Sequence, residues 1–162
     1  MEKTTCSRLN SYIERLSILC PRQYGFRTGH STDLALVNIQ DLITNKHAVG
    51  IFPDLAKAFD MVDHNLLIQK MEYYGIRGIT LKWFKDYLSN WQQQVRCNGA
   101  VSTLRPIKCG VPQGSNQGPL LFLLYINDLP KVCKMLNVIL FADDTVEKME
   151  VLSLSSSFWH ME

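Results

Sequence analysis

The sequence has no long hydrophobic run: the longest, Leu120 to Ile126, is seven residues, against the roughly 20 that a membrane-spanning helix needs. It also has little net charge. Lys plus Arg number 17 and Asp plus Glu 15, leaving +2. That excludes a strongly basic nucleic-acid-coating protein but leaves room for a locally basic groove. Cysteine is sparse, and Cys6, Cys20, Cys97, Cys109 and Cys133 are scattered with no C-x-x-C pair. Neither a disulfide framework nor a zinc site is expected, nor a disulfide-linked partner; the thiols read as reduced and buried. Residues 1–8 lack the apolar core of a signal peptide. The expectation is therefore an intracellular protein, in the cytoplasm or nucleus, without a membrane partner. Internal repeats are absent as well.

What is present is an ordinary globular balance, 46% hydrophobic and 20% charged over 162 residues, enough for one self-supporting domain. Leu9, Tyr12, Ile13, Leu16 and Leu19 recur at helical spacing, and Pro21 is expected to stop that helix. Ser31 reads as the N-cap of a second helix carrying Leu34, Leu36, Val37, Ile39, Leu42 and Ile43. Asp63 reads as the cap of a helix over about 64–74, followed by another over about 79–89. Residues 94–97 and 102–105 alternate around Asn98-Gly99, the signature of a β-hairpin. Two apolar runs, 48–52 and 138–142, read as strands buried on both faces, and 145–152 as the hairpin partner of the second. Leu120 to Ile126 reads as a buried helix. The pattern is α+β around a small sheet.

Asp54 follows the first strand and Asp143-Asp144 the second. A carboxylate at the end of a buried strand is costly unless water or a cation compensates it, and two adjacent ones repel unless a cation is bound. A single Asp after a strand is usually a turn former or helix cap. If the two strands lie side by side, three acidic residues meet at one sheet edge. Such an oxygen-only cluster suits Mg²⁺, and two ions there serve nucleotidyl transfer.

The local words go further. Gln23-Tyr24-Gly25-Phe26-Arg27 with Gly29-His30-Ser31-Thr32, Asp54-Leu55-Ala56-Lys57-Ala58-Phe59-Asp60 with Val62-Asp63-His64, Gly110-Val111-Pro112-Gln113-Gly114-Ser115 with Gly118-Pro119-Leu120-Leu121-Phe122, Tyr125 to Pro130, and Phe141-Ala142-Asp143-Asp144-Thr145 stand in order along the chain. Together they resemble the reverse transcriptase domain of non-LTR (LINE-type) retrotransposons, over about residues 2–146. The group II intron maturase palm uses the same chemistry but a less similar wording around 54–64 and 125–130.

The resemblance implies a polymerase palm, a small antiparallel sheet packed on helices, with part of the fingers and no thumb. It places the fingers part at about 1–47, the palm at about 48–146 and a divergent tail at 147–162. It implies Asp54, Asp143 and Asp144 as catalytic, metal-binding carboxylates for two Mg²⁺ ions, with Mn²⁺ as a substitute. Phe59 is implied as the steric gate against a ribose 2′-OH, with core packing as its alternative role. Gln113 and Gly114 resemble the loop at the incoming nucleotide and template, and Arg27 a fingers residue near template or triphosphate. Asp60 and Asp63 read as structural acceptors, and His30 and His64 as hydrogen-bonding residues. The partners implied are an RNA template, a DNA primer and dNTPs, with Lys and Arg at 22, 27, 57, 77, 82, 85, 96, 105 and 108 along the path.

Two positions depart from the family pattern. Pro53 stands where an apolar strand residue is usual, and lacks the N–H of a paired strand residue. Asn116-Gln117 put amides at the start of an apolar helix. With family segments unmatched on both sides, the expectation is a partial copy without processive synthesis of its own. The competing reading is a decayed, inactive remnant with weak nucleic-acid binding at most.

Overall fold

The computed structural model describes residues 2–43, 48–53, 55–89, 91–112, 114–132 and 136–150. These form two compact units, the first of Met1–Leu19 and Ala56–Asn127, the second of Cys20–Leu55 and Asp128–Glu162.

The first unit is helical. α1 spans Glu2–Arg15, short of the expected stop at Pro21. It closes at Ser17, which takes a left-handed φ of 50°. There the Ser17 N–H donates to the Glu14 carbonyl (3.1 Å) and the Ile18 N–H to the Ile13 carbonyl (3.1 Å). That paired closure satisfies the last carbonyls and ends the helix before proline acts.

In the second unit, α2 (Thr32–Ile43) begins as expected. Ser31 Oγ accepts from the Leu34 N–H at 3.2 Å. Its apolar face is less covered than the periodicity implied: Ala35 is buried, while Leu34, Leu36 and Val37 are exposed.

Back in the first unit, a 3₁₀ turn at Ala58–Met61 leads into α3 (His64–Tyr73). Asp63 caps α3, its Oδ1 accepting from the Leu66 N–H at 2.8 Å. Asp63→Ala is expected to lower the unfolding free energy by about 1 kcal/mol while Asp63→Asn stays near wild type. Urea titration of the two variants side by side checks this, and equal midpoints for Ala and wild type would refute the cap.

α4 covers Gly78–Ser89. Leu67 and Met71 of α3 and Leu81, Phe84 and Leu88 of α4 are buried at three- and four-residue intervals, the spacing that puts them on one face. α5 (Gly118–Ile126) has no polar face. Leu120 to Leu124 and Ile126 are all buried, as expected of a helix at the centre of a core. It packs on α3, and Lys70 Nζ of α3 donates to the Tyr125 carbonyl.

Between α4 and α5 the chain makes an exposed two-stranded ribbon. β2 (Gln92–Gln93) pairs antiparallel with β5 (Arg105–Pro106), and β3 (Arg96–Cys97) with β4 (Ala100–Val101). The turn is Asn98-Gly99 with φ of 48° and 81°, the positive pair that a two-residue hairpin turn demands. The ribbon thus starts two residues earlier and ends one later than the alternation implied. Every residue on these four strands is exposed.

The second unit also carries a three-stranded antiparallel sheet. β1 is Ala48–Ile51, β6 Leu136–Phe141 and β7 Asp144–Glu150, in the order β1-β7-β6. α2 and the short α6 (Leu129–Val132) pack on β6. Val138, Ile139 and Leu140 are buried as a doubly covered strand requires, but Ile51 and Phe52 at the end of β1 are exposed. β1 closes at Ile51 and Phe52 carries no strand pairing, consistent with Pro53 donating no hydrogen bond and restricting the residue before it.

The cysteines differ from expectation. Cys6 and Cys20 are half-buried, and Cys97 and Cys109 are exposed. Cys97 sits on the exposed ribbon; Cys133 lies outside the described residues. Burial and then the Glu2 charge push the Cys6 thiol up, so it is held as the protonated thiol.

Candidate active site

Within the second unit, Asp143 and Asp144 sit where β6 turns into β7. Phe141 and Asp144 are paired across the hairpin, so Ala142 and Asp143 form a two-residue turn. Ala142 takes a φ of 58°, a conformation that residues with a Cβ seldom adopt and that marks functional loops when the surroundings enforce it. Asp143 is half-buried and Asp144 exposed.

β1 and β6 are not neighbours as the side-by-side arrangement required. A two-residue turn makes β7 the partner of β6, and β1 pairs with the far edge of β7. The two strands are therefore about 10 Å apart, two interstrand spacings. β1 nevertheless runs antiparallel to β7, with Ile51 opposite Glu147. Its C-terminal end is thus directed toward the sheet end that bears the Asp143-Asp144 turn. Asp54 itself lies outside the described residues, as does Gln113. Among the described residues, no three or more His, Cys, Asp or Glu side chains come together as a metal group.

Arg27 belongs to this unit and is occupied locally. Its Nη1 donates to the carbonyls of Cys20 (2.9 Å) and Gln23 (3.1 Å), tying the 20–27 loop to itself. His30 Nδ1 lies 3.2 Å from the Thr28 carbonyl, a local hydrogen bond of the kind anticipated.

Within the first unit, Phe59 is half-buried in the 3₁₀ turn. Its ring stacks on Phe122 of α5, 4.5 Å between centroids at 27°. Phe122 is 2% exposed, so a fixed core ring backs Phe59. The 110–119 loop is fastened to the same turn. The Gly110 N–H donates to the Val62 carbonyl (2.7 Å) and the Val111 N–H to the Phe59 carbonyl (2.9 Å). His64 Nε2 donates to the Gly110 carbonyl at 2.7 Å, which fixes its tautomer. Gly114, exposed and at φ 79°, has open space where a Cβ would stand. Farther on, Gln117 is fully buried at the start of α5. Its Nε2 reaches the Glu2 carbonyl at 3.4 Å, while Oε1 has no partner among the described residues.

A cleft of about 670 Å³ opens beside this loop, lined among others by Lys57, His64, Trp91, Lys108 and Pro112. The Asp60 carboxylate lines it too, so the cleft combines two cations, one carboxylate and an indole. Lys57 and Lys108 were readable as cations, but their sharing a cleft with Trp91 had no sequence signal: they are far apart in the chain and on loop and ribbon ends.

The family described as "Reverse transcriptase (RNA-dependent DNA polymerase)" matches residues 1–150. The chain belongs to the reverse transcriptase family. Among curated relatives, the probable RNA-directed DNA polymerase from transposon BS of Drosophila melanogaster is 35% identical over 140 residues, 80% of this chain and 15% of that protein. The RNA-directed DNA polymerase from mobile element jockey of Drosophila melanogaster is 33% identical over 135 residues, again 80% and 15%. The chain thus spans about 15% of the length of these curated relatives. Among solved structures, a chain of a partial Cas6-RT-Cas1–Cas2 complex has a TM-score of 0.41 and 23% identity over 79% of this chain and 22% of that one. The resemblance to non-LTR retrotransposon reverse transcriptases read from the motif words holds.

The family uses divalent metal ions, and the donors at the hairpin turn fit one. Asp143, half-buried on the turn, and Asp144, exposed at the start of β7, offer carboxylate oxygens, the donors that a hard cation takes. Among the described residues, no helix is long and apolar enough to cross a membrane.

Proposed function

We propose that the chain is a catalytic portion of an RNA-directed DNA polymerase that adds dNTPs to a DNA primer 3′-OH on an RNA template. The observation that carries this is the Ala142-Asp143 turn, followed at once by Asp144 at the start of β7, at the end of the sheet toward which the C-terminal end of β1 runs. In this reading Asp54, Asp143 and Asp144 hold two Mg²⁺ ions, for which Mn²⁺ substitutes. When bound, the ions supply charge stabilisation to the attacking and leaving oxygens.

The chain's own groups do the rest. Phe59, backed by Phe122, presents a fixed ring edge that a 2′-hydroxyl would strike, favouring deoxyribose. Gln113 and Gly114 border the nucleotide, Gly114 offering backbone with no side chain in the way. Lys57 and Lys108 attract phosphate, and Trp91 offers a face for a base. Arg27 orders the 20–27 loop, from which it serves the template side. The Lys and Arg residues on α4 and the ribbon extend the backbone-binding path.

The test is primer extension on an RNA template with dNTPs and Mg²⁺ or Mn²⁺, run with the whole chain and with Asp143→Ala. Product that falls to background in Asp143→Ala supports the reading. Equal product from both proteins would sink it, and no product from either would remove catalysis from this chain. Mn²⁺ binding followed by electron paramagnetic resonance gives the metal half of the reading separately.

A further inference from the structure

The Gln23-Tyr24-Gly25 segment contacts the carboxylate turn directly, and none of the roles above uses it. Gln23 lies in a parallel bridge with Leu140. The Tyr24 N–H donates to the Leu140 carbonyl (2.8 Å) and the Leu140 N–H to the Arg22 carbonyl (2.9 Å). The Gln23 side chain is 1% exposed. Its Oε1 accepts from two backbone donors, the Gly25 N–H at 2.8 Å and the Ala142 N–H at 3.1 Å. Two converging N–H groups admit only the amide oxygen there, since the NH₂ end is donor-only. Ala142 is the left-handed residue of the turn, and its N–H would otherwise be a buried donor left unpaired, an arrangement native structures avoid.

Gly25 matters for a different reason. Its own φ is not in the left-handed region, yet a Cβ on it would lie 2.2 Å from the Ala142 nitrogen and 2.8 Å from the Ala142 Cα. Both obstacles are backbone atoms, so any side chain at 25 must displace the turn.

We propose that Gln23 and Gly25 are positioning residues for the metal-binding turn: the Gln23 amide oxygen caps the strained Ala142 N–H, Gly25 leaves that backbone its space, and together they aim Asp143 and Asp144. The inference rests on the proposed metal role of the two carboxylates. Neither residue touches substrate; each acts through Ala142.

The experiment reads amide exchange and Mn²⁺ affinity on the whole chain. Wild type should show a protected Ala142 amide by NMR hydrogen exchange. Gln23→Met keeps the side-chain length and removes the acceptor, and should speed Ala142 exchange roughly tenfold or more. The Leu140 and Tyr24 amides should hold. Gly25→Ala keeps the Gln23 acceptor but should shift the Ala142 and Asp143 resonances by displacing the turn. Both variants should lose some melting temperature and, at a temperature where each is still folded, bind Mn²⁺ at least about fivefold more weakly than wild type; Asp63→Ala, destabilised in the first unit, should keep wild-type affinity, because a merely structural loss moves melting and not affinity. Asp143→Asn is the separate arm for the metal reading. If wild type binds no Mn²⁺, the metal reading fails while Ala142 exchange still decides the clamp. An unprotected Ala142 amide in wild type, or unchanged exchange in Gln23→Met, overturns the clamp even if one variant fails to fold. Unchanged Mn²⁺ affinity in both folded variants, against a wild type that binds, overturns its role in aiming the carboxylates.

Discussion

Phe122→Ala is expected to lower the unfolding free energy by about 3–5 kcal/mol, the usual cost of a phenylalanine truncation that leaves a cavity in a core. In a chain of this size that is a fall in melting temperature of roughly 10 °C or more. Phe122 is 2% exposed, on a helix whose neighbours Leu121, Leu123 and Leu124 are fully buried, so little can relax into the space. Its ring also stacks on Phe59 at 4.5 Å, and such a pair contributes about 0.5–1.5 kcal/mol beyond buried area. Phe122→Leu should be milder, because most of the volume stays. Thermal unfolding followed by circular dichroism measures both. A loss under about 1 kcal/mol for the alanine variant would mean that α5 is not the centre of its unit. The same substitution removes the stacking partner of Phe59, whose ring mobility by NMR is expected to rise alongside the fall in melting temperature.

The second large effect belongs to Gly110. A Cβ there would lie 2.9 Å from the Asp60 carbonyl oxygen, 3.0 Å from its Cα and 3.2 Å from its carbonyl carbon, at a φ of 92°. Gly110→Ala therefore combines backbone strain of about 1–3 kcal/mol with overpacking against atoms that cannot step aside. The expected total is about 2–4 kcal/mol. It should also loosen the hydrogen bonds to Val62 and His64 that fasten the loop. Gly114→Ala provides the comparison. Its φ of 79° is equally left-handed, but nothing stands within 4 Å of the added carbon, so only the conformational penalty of about 1–2 kcal/mol applies. Urea unfolding of the two variants separates steric from conformational cost. Equal losses would show that the approach to Asp60 is not a constraint.

These contrasts mark what could be read from sequence. Local hydrogen-bonding chemistry was legible because it is decided within a few residues. Ser31 and Asp63 cap the helices they were expected to cap, and Asn98-Gly99 takes the paired positive φ its hairpin needs. The Asp143-Asp144 pair stood out because two like charges after an apolar run are expensive, and Asp143 does occupy the turn at the end of that strand, with Asp144 opening β7. Long-range placement was not legible. The β6–β7 hairpin was legible, with 145–152 expected to pair with 138–142, but that β1 takes the far edge of β7 instead of lying beside β6 was not. α1 ended early because Ser17 adopted a left-handed conformation that serine gives no warning of. α6 has four residues, too few to show a helical period. Exposure of Cys97 and of Leu34 and Leu36 on α2 depends on what covers them, a tertiary property. Gln23 stood within a motif word, but its role as acceptor for Ala142, 119 residues away, exists only in three dimensions.

The ribbon formed by residues 92–106 carries one more consequence. It is two strands wide, and among the described residues no third strand closes it. Val95, Val101 and Leu104 stand 67%, 49% and 59% exposed on or beside it. Open strand edges with apolar, β-branched side chains are templates for further strands, and an uncovered pair of strands contributes little stability of its own. As concentration rises, the first contact between two copies of this chain should therefore be strand addition along the ribbon, a self-association route that bypasses both the helical core and the carboxylate turn.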